Sequence, residues 1–230
     1  MPLTLFNTIS GRDKDKSLTK LISYSLPDQD LILMAILSII MANLGFLLNN
    51  MAVLIGSMLI APIIYPIMSC GMSFVVLDIK LFIRSLGTIS IFAILGITAS
   101  LLVTFLFSSY PVDFTNDLIA HMQPSWLYFA VAFVAGLAAS FALVKPELNE
   151  MFPGIAVAVA LIPPLAVIGI GLAENESVIV TDAVHLFLSN AGGIILASLI
   201  IFTFMRFRLK KRVAKKVLAQ EEKELENGIK

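Results

Sequence analysis

The chain has 230 residues and a formal net charge of zero; 58% of it is hydrophobic, only 14% is charged, and its mean hydropathy is +0.94. A soluble domain carries about 25% charged residues, so this composition counts against a soluble globular chain, a disordered chain and a nucleic-acid-binding module. It leaves an integral membrane protein whose first partner is the lipid bilayer.

Residues 1–30 form a polar lead. Charges from Arg12 to Lys20 interrupt any apolar run of a cleavable signal, so the first membrane helix is expected to serve as its own insertion signal. Leu18, Leu21, Ile22, Ser25 and Leu26 are spaced as a short amphipathic helix at the membrane interface. Leu31 to Leu48 is long enough to be a first span and closes on Asn49-Asn50, which allow a very tight turn. Met51 to Leu77 is a second apolar run, but it carries Ala61-Pro62 and then Pro66. Asp78, Lys80 and Arg84 mark the next interface, and Leu86 to Phe107 makes a third span, completing a unit over 31–107.

The segment 108–125 reads as a polar outer loop with Pro111 and Pro124. Trp126 opens a fourth span to Val144, with Trp126, Tyr128 and Tyr110 as an interfacial aromatic belt. After a charged turn at Lys145 to Glu150, Pro153 to Leu172 forms a fifth run, broken near its middle by Pro163-Pro164. An acidic loop, Ala173 to Asp182, leads to a sixth span from Ala183 to Met205, with Thr181-Asp182 placed as its N-cap. These make a second unit over 126–205, and 206–230 is a tail that is strongly basic as far as Lys216.

The prolines carry the functional reading. Proline lacks an N–H and clashes with the carbonyl four residues back, so the carbonyls of Val159 and Ala160 are expected to lose their helical partners. Such orphans cost several kcal/mol each in hydrocarbon, and a broken backbone persists there only when enclosed by protein or lining a wet cavity. Aligning LIAPI (Leu59 to Ile63) with LIPPL (Leu161 to Leu165) sets Pro62 over Pro164 at an offset of 102 (164 − 62). Each broken run is then second in a set of three. An odd number of spans turns the second set upside down, so the expected fold is all-α, with six transmembrane spans in two inverted three-helix repeats and the second span of each repeat broken at proline. Every Lys and Arg falls on the side of the two termini, while the outer loops hold Asp113, Asp117, Glu174, Glu176 and Asp182 without a cation. That bias predicts a multi-pass protein of the cell membrane with both termini cytoplasmic. The basic tail adds about 1 kcal/mol of attraction to anionic lipid per cation, although a plain topology anchor explains it as well.

Two stretches also resemble a known family. GSMLIAPIIYPIM (Gly56 to Met68) and ALIPPLAVIGIGLA (Ala160 to Ala173) are similar to the signatures of the uncharacterised hydrophobic domain family, domain of unknown function 389, and the resemblance covers about residues 30–205. It brings no activity with it. Many members carry an additional soluble domain where this chain has a short N-terminal lead, so the resemblance implies no regulatory role for such a domain here.

The candidate substrate-binding residues are Ser57, Ala61, Pro62, Tyr65, Pro66, Pro163, Pro164, Asn43 and Asn190. Ser57, Tyr65 and Ser69 bring hydroxyls to the first break, although serines also back-bond to helix carbonyls. For Asn43 and Asn190, contact with a solute and an interhelical hydrogen bond that holds the fold stand level. His185 either titrates near neutral pH or simply sits at the outer interface. Ala132, Gly136 and Ser140 on the fourth span, and Gly193 with Ala197 on the sixth, form small-residue rows that seam helices within or between protomers, and a homo-oligomer is expected. Cys70 cannot pair within the chain and reads as a small core residue, two histidines are too few for a metal site, and no cofactor is expected.

No Asp, Glu, Lys or Arg lies near the middle of any span, which argues against proton coupling through a buried relay. The chain lacks HExxH, GxSxG and P-loop patterns, so an enzyme is not expected. The reading is a secondary transporter or channel for a small anion or polar solute, with its site at paired broken helices. The alternative is a non-transporting scaffold, sensor or assembly partner in which the prolines only shape packing.

Overall fold

The computed structural model describes residues 10–26, 28–60, 63–107, 124–145, 148, 161–207 and 211–226. Among the described residues there are nine α-helices and no strand: α1 (Gly11–Ser23), α2 (Gln29–Leu47), α3 (Met51–Met58), α4 (Ile64–Val76), α5 (Ile79–Leu106), α6 (Trp126–Val144), α7 (Ile162–Ala173), α8 (Ser177–Phe204) and α9 (Lys211–Glu226). Helices α2, α5, α6 and α8 are long and apolar enough to cross a membrane. The protein is therefore a multi-pass membrane protein. Ala61 and Pro62, the outer loop 108–123 and the first half of the fifth run at 151–160 lie outside the described residues.

Short polar residues start and turn the helices. Asn49 adopts φ 48°, and the Asn50 Oδ1 accepts from the N–H groups of Ala52 (3.0 Å) and Val53 (3.3 Å), so the expected Asn-Asn turn reverses α2 into α3. Asp78 caps α5 in the same way, through Lys80 N (3.0 Å) and Leu81 N (3.3 Å). The sixth run differs from expectation: its helix begins at Ser177 with Glu176 as N-cap, and Asp182 lies inside α8. A helix that leaves the hydrocarbon continues into the headgroup layer, where polar side chains meet water, so the edge of the apolar run did not mark the helix start.

The long helices form an outer ring with lipid-facing side chains such as Leu37, Ile94, Val134 and Leu188 exposed, while α4 and α7 are buried along most of their length, with Phe74 and Leu172 exposed near their C-terminal ends. Helix α4 packs against α5 and α8, and α7 packs against α8, α5 and α2. Lipid tails are as apolar as Leu, so van der Waals packing and interhelical hydrogen bonds must hold the helices together. Close approach at small residues supplies much of it. The rows on α6 and α8 face one another within one chain: a Cβ on Gly136 would lie 2.9 Å from the Ala197 Cβ, and one on Gly193 would lie 3.2 Å from the Ala132 Cβ.

Helix α1 fixes which helix ends share a side. Lys14 Nζ donates to Met205 O (2.8 Å) after α8, and Ser17 Oγ to Leu143 O (3.0 Å) at the end of α6. Thr88 Oγ1 donates to Ser25 O (2.7 Å), which brings the first part of α5 to the same level. The apolar face of α1, with Leu18, Leu21 and Ile22 fully buried, is thus spent on the base of the bundle. The start of α5 and the end of α8 share this side, so the two longest helices run antiparallel.

Helix lengths recur along the chain. The pairs α2/α6, α4/α7 and α5/α8 have 19 and 19, 13 and 12, and 28 and 28 residues, and the last pair starts 98 residues apart (177 − 79). Counted from these helix starts the spacing is 98, which sets Pro66 against Pro164, whereas the motif alignment at 102 sets Pro62 there.

Candidate functional site

The end of α3 lies half-way along α2. Ser57 is fully buried, its Oγ donates to Leu54 O (2.6 Å), and its carbonyl accepts from Ser38 Oγ (2.6 Å), Ser38 being the tenth of the 19 residues of α2. Leu59 N and Ile60 N then bond to Gly56 O and Ser57 O, both at 3.2 Å, tightening the last turn. Carbonyls that a helix end would leave bare are thereby partly satisfied.

Helix α4 begins after Ile63 and α7 after Leu161, and neither N-terminus has a side-chain cap. Pro66 is the third residue of α4; Pro163 and Pro164 are the second and third of α7, and all three are buried. Proline suits these positions because first-turn N–H groups have no intrahelical partner anyway. The prolines thus open their helices instead of kinking them. Each helix still turns the positive end of its dipole into the apolar interior.

Polar groups gather in two places. Asn43 is fully buried, and its Nδ2 donates to Ser100 O (2.9 Å), Ser100 Oγ (2.7 Å) and Thr104 Oγ1 (2.9 Å), while Ser100 Oγ donates to Ala166 O (2.7 Å). This chain ties α2 to α5 and α5 to α7. The Asn43 Oδ1 accepts no hydrogen bond. The second place is at α1: the Tyr65 ring stacks on Tyr24 with centroids 4.5 Å apart, and Lys20 Nζ lies 4.8 Å from its centroid. Ser69 Oγ donates to Leu21 O (2.7 Å) just beside it.

A family model described as a domain of unknown function, DUF389, matches residues 58–196. The chain belongs to this family. An uncharacterized protein of Methanocaldococcus jannaschii is similar to it, 32% identical over 173 residues, which cover 75% of this chain and 53% of that protein. The chain thus spans about half the length of that relative. No solved structure matches the chain.

The DUF389 match runs from the last residue of α3 into α8, so it holds the starts of both α4 and α7 and leaves α1, α2 and nearly all of α3 outside. Within it, Asn190 is buried half-way along α8, and the residue 98 positions earlier (190 − 98) is the buried Phe92 of α5. Ala61 and Pro62 lie outside the described residues. His185 is exposed on α8, as an interfacial residue would be. Sequence reasoning missed Ser38, Ser100 and Thr104, hydroxyls on the outer helices that bond across to their neighbours. Ser100 and Thr104 were findable as an i, i+4 pair on one face of an apolar helix.

Proposed function

We propose that this DUF389 protein is a secondary transporter or channel for a small anion or polar solute, with its site between the proline-bearing starts of α4 and α7. In this reading it has six spans in two inverted three-helix repeats: α3 and α4 together make the second span, and α7 with the segment before it makes the fifth. One observation carries the reading. A Cβ on Gly71 of α4 would strike Ser198 Oγ and come within 2.9 Å of Ile195 O on α8, and a Cβ on Gly169 of α7 would lie 2.6 Å from Ser100 Oγ and 2.8 Å from Ile97 O on α5. Every residue of the first contact is offset from its counterpart in the second by 98 (169 − 71, 198 − 100, 195 − 97). Each half therefore inserts its enclosed helix against the long helix of the other, as a pseudo-two-fold axis requires.

The anion or polar solute follows from the two uncapped helix starts, which offer partial positive charge in an interior where α4 and α7 carry no charged side chain. The cations of α1, with Lys80, Arg84, Lys145 and Arg206 at helix ends on the same side, support cytoplasmic termini in the cell membrane. A homo-oligomer belongs to the reading too, through faces other than the α6–α8 seam.

The bonding around the helix ends favours the scaffold as a second reading. Ser38 satisfies a carbonyl at the end of α3, and the prolines remove one first-turn donor from α4 and two from α7, which is what a dry, static centre needs. Flux separates the two. Purified protein in liposomes, tested with halide, phosphate, carboxylate and neutral polar solutes, is expected to give saturable uptake that Pro164→Ala alters without unfolding the protein. Uptake equal to that of protein-free liposomes across the panel refutes transport.

A further inference from the structure

Helix α1 has two unlike sides. Leu18, Leu21 and Ile22 are fully buried against the bundle, while Arg12, Lys16 and Thr19, about one turn apart along the other side, are exposed. The helix packs on α4 and α6. Its last turn meets the start of α4: Tyr65, the second residue of α4, is only 9% exposed beneath the stacked ring of Tyr24, and Lys20 stands at the same ring. One turn further along α4, the Ser69 hydroxyl donates to Leu21 O.

The depths of these groups decide what α1 covers. Ser57, near the end of α3, meets Ser38, which lies about 14 Å along α2 from its start. Ser25 follows α1 and sits just before that start. The break between α3 and α4 therefore lies inside the span, with α1 between the start of α4 and the water on its own side. A solute passing from that water to the uncapped start of α4 meets Tyr24 and Lys20 first. Two features suit a part that moves. Helix α1 ends at Ser23 and α2 begins at Gln29, so α1 can pivot at the joint without unwinding either helix. The hydrogen bonds from Ser17 to Leu143 O, Lys14 to Met205 O and Ser69 to Leu21 O join side chains to backbone oxygens, and water can replace each when α1 lifts. Helix α1 also lies outside the DUF389 match, whereas the helix start that it covers lies within it.

We propose that α1 is a gate over the α4 end of the transport site, with Tyr24 as its plug and Lys20 as a latch on the Tyr65 ring. The inference rests on the transport reading given above. The gate is shut in this structure. Lifting the last turn of α1 uncovers Tyr65 and the start of α4, whose positive dipole end then faces solute arriving from the α1 side. A fixed floor would instead hold α1 in place throughout, and solute would have to pass without disturbing it.

The test locks α1 to the bundle. Ser17 Oγ lies 3.0 Å from Leu143 O, so the two Cα atoms are within about 8 Å, and a short bifunctional thiosulfonate can bridge cysteines placed there. Neither residue belongs to the transport site. The full chain in liposomes, carrying Ser17→Cys and Leu143→Cys in a Cys70→Ala background, is expected to take up solute before cross-linking. Cross-linking should slow that uptake about tenfold or more, and reduction should restore it. Either cysteine alone, treated with the same reagent, should keep its rate. Tyr24→Ala removes the plug and is expected to speed uptake several-fold at a thermal midpoint that shows a folded protein; it keeps the test decisive if the cysteine pair harms folding. Uptake unchanged by the cross-link, or Tyr24→Ala at the wild-type rate, overturns the gate and leaves transport standing. No uptake of any solute by the wild-type chain removes transport, and the gate with it.

Discussion

Helices α4 and α7 share a backbone plan and differ in what surrounds their ends. Both are enclosed, both open with proline in the first turn, and both lean a glycine on a serine of a long helix. At the start of α4, however, stand Tyr65, Lys20 of α1 and Tyr24 just after it, whereas the first turn of α7 is apolar, with Ile162, Pro163 and Pro164. Packing is repeated where the helices cross, whereas among the described residues the ring and lysine contacts stand beside α4 and the Asn43–Ser100 cluster reaches α7 at Ala166. A site built between such ends is symmetric in its helix dipoles and asymmetric in its side chains.

The crossings should break first. Gly71→Ala and Gly169→Ala each push a methyl into a serine and a backbone carbonyl, so each is expected to lower stability by about 1–3 kcal/mol, read as thermal midpoint in detergent. Equal losses support the paired crossings; a neutral change at one glycine alone breaks the comparison. Next comes Asn43→Leu, which removes the bonds to Ser100 and Thr104 but also the unpaired Oδ1, with an expected net loss of about 1 kcal/mol. A double-mutant cycle of Asn43→Ala with Ser100→Ala should give a coupling of about 0.6 kcal/mol, and no coupling would contradict the bonded cluster.

Tyr65→Phe sharpens the asymmetry. It keeps the stack on Tyr24, so stability should stay within about 0.5 kcal/mol while solute flux changes. Gly87→Ala is the smallest and opposite effect: a Cβ there meets nothing within 4 Å, and a helical Gly→Ala change at a compatible site stabilises by about 0.4–1 kcal/mol. Destabilisation at Gly87 would mean that this open face is covered by another chain.

The sequence made some of this legible. Apolar runs located all four long helices because each must present about 20 apolar residues to lipid, and Asn49-Asn50 announced its turn because few other residues hold that backbone. The helix starts at Ile79 and Ser177 were hidden, since polar residues in the headgroup layer end an apolar run without ending a helix. The crossings were hidden as well, since contacts such as Gly71 with Ser198 join residues far apart in the chain. Pro66 was read as a second break and is instead a first-turn residue, a distinction set by where α4 begins. For Asn43, solute contact and an interhelical bond stood level in the sequence; its hydrogen-bond partners lie on α5, where no local pattern names them.

The proposed inverted repeat underlies the proposed site, and one labelling experiment tests it most directly. Leu77 and Asn175 occupy corresponding turns, so Leu77→Cys and Asn175→Cys, in a Cys70→Ala background, should lie on opposite faces of the membrane. With a membrane-impermeant thiol reagent on intact cells, Asn175→Cys is expected to react and Leu77→Cys to react only after the membrane is opened. Reaction of both from the same side would contradict the inverted arrangement, and with it the pairing of α4 and α7 as the two halves of one site.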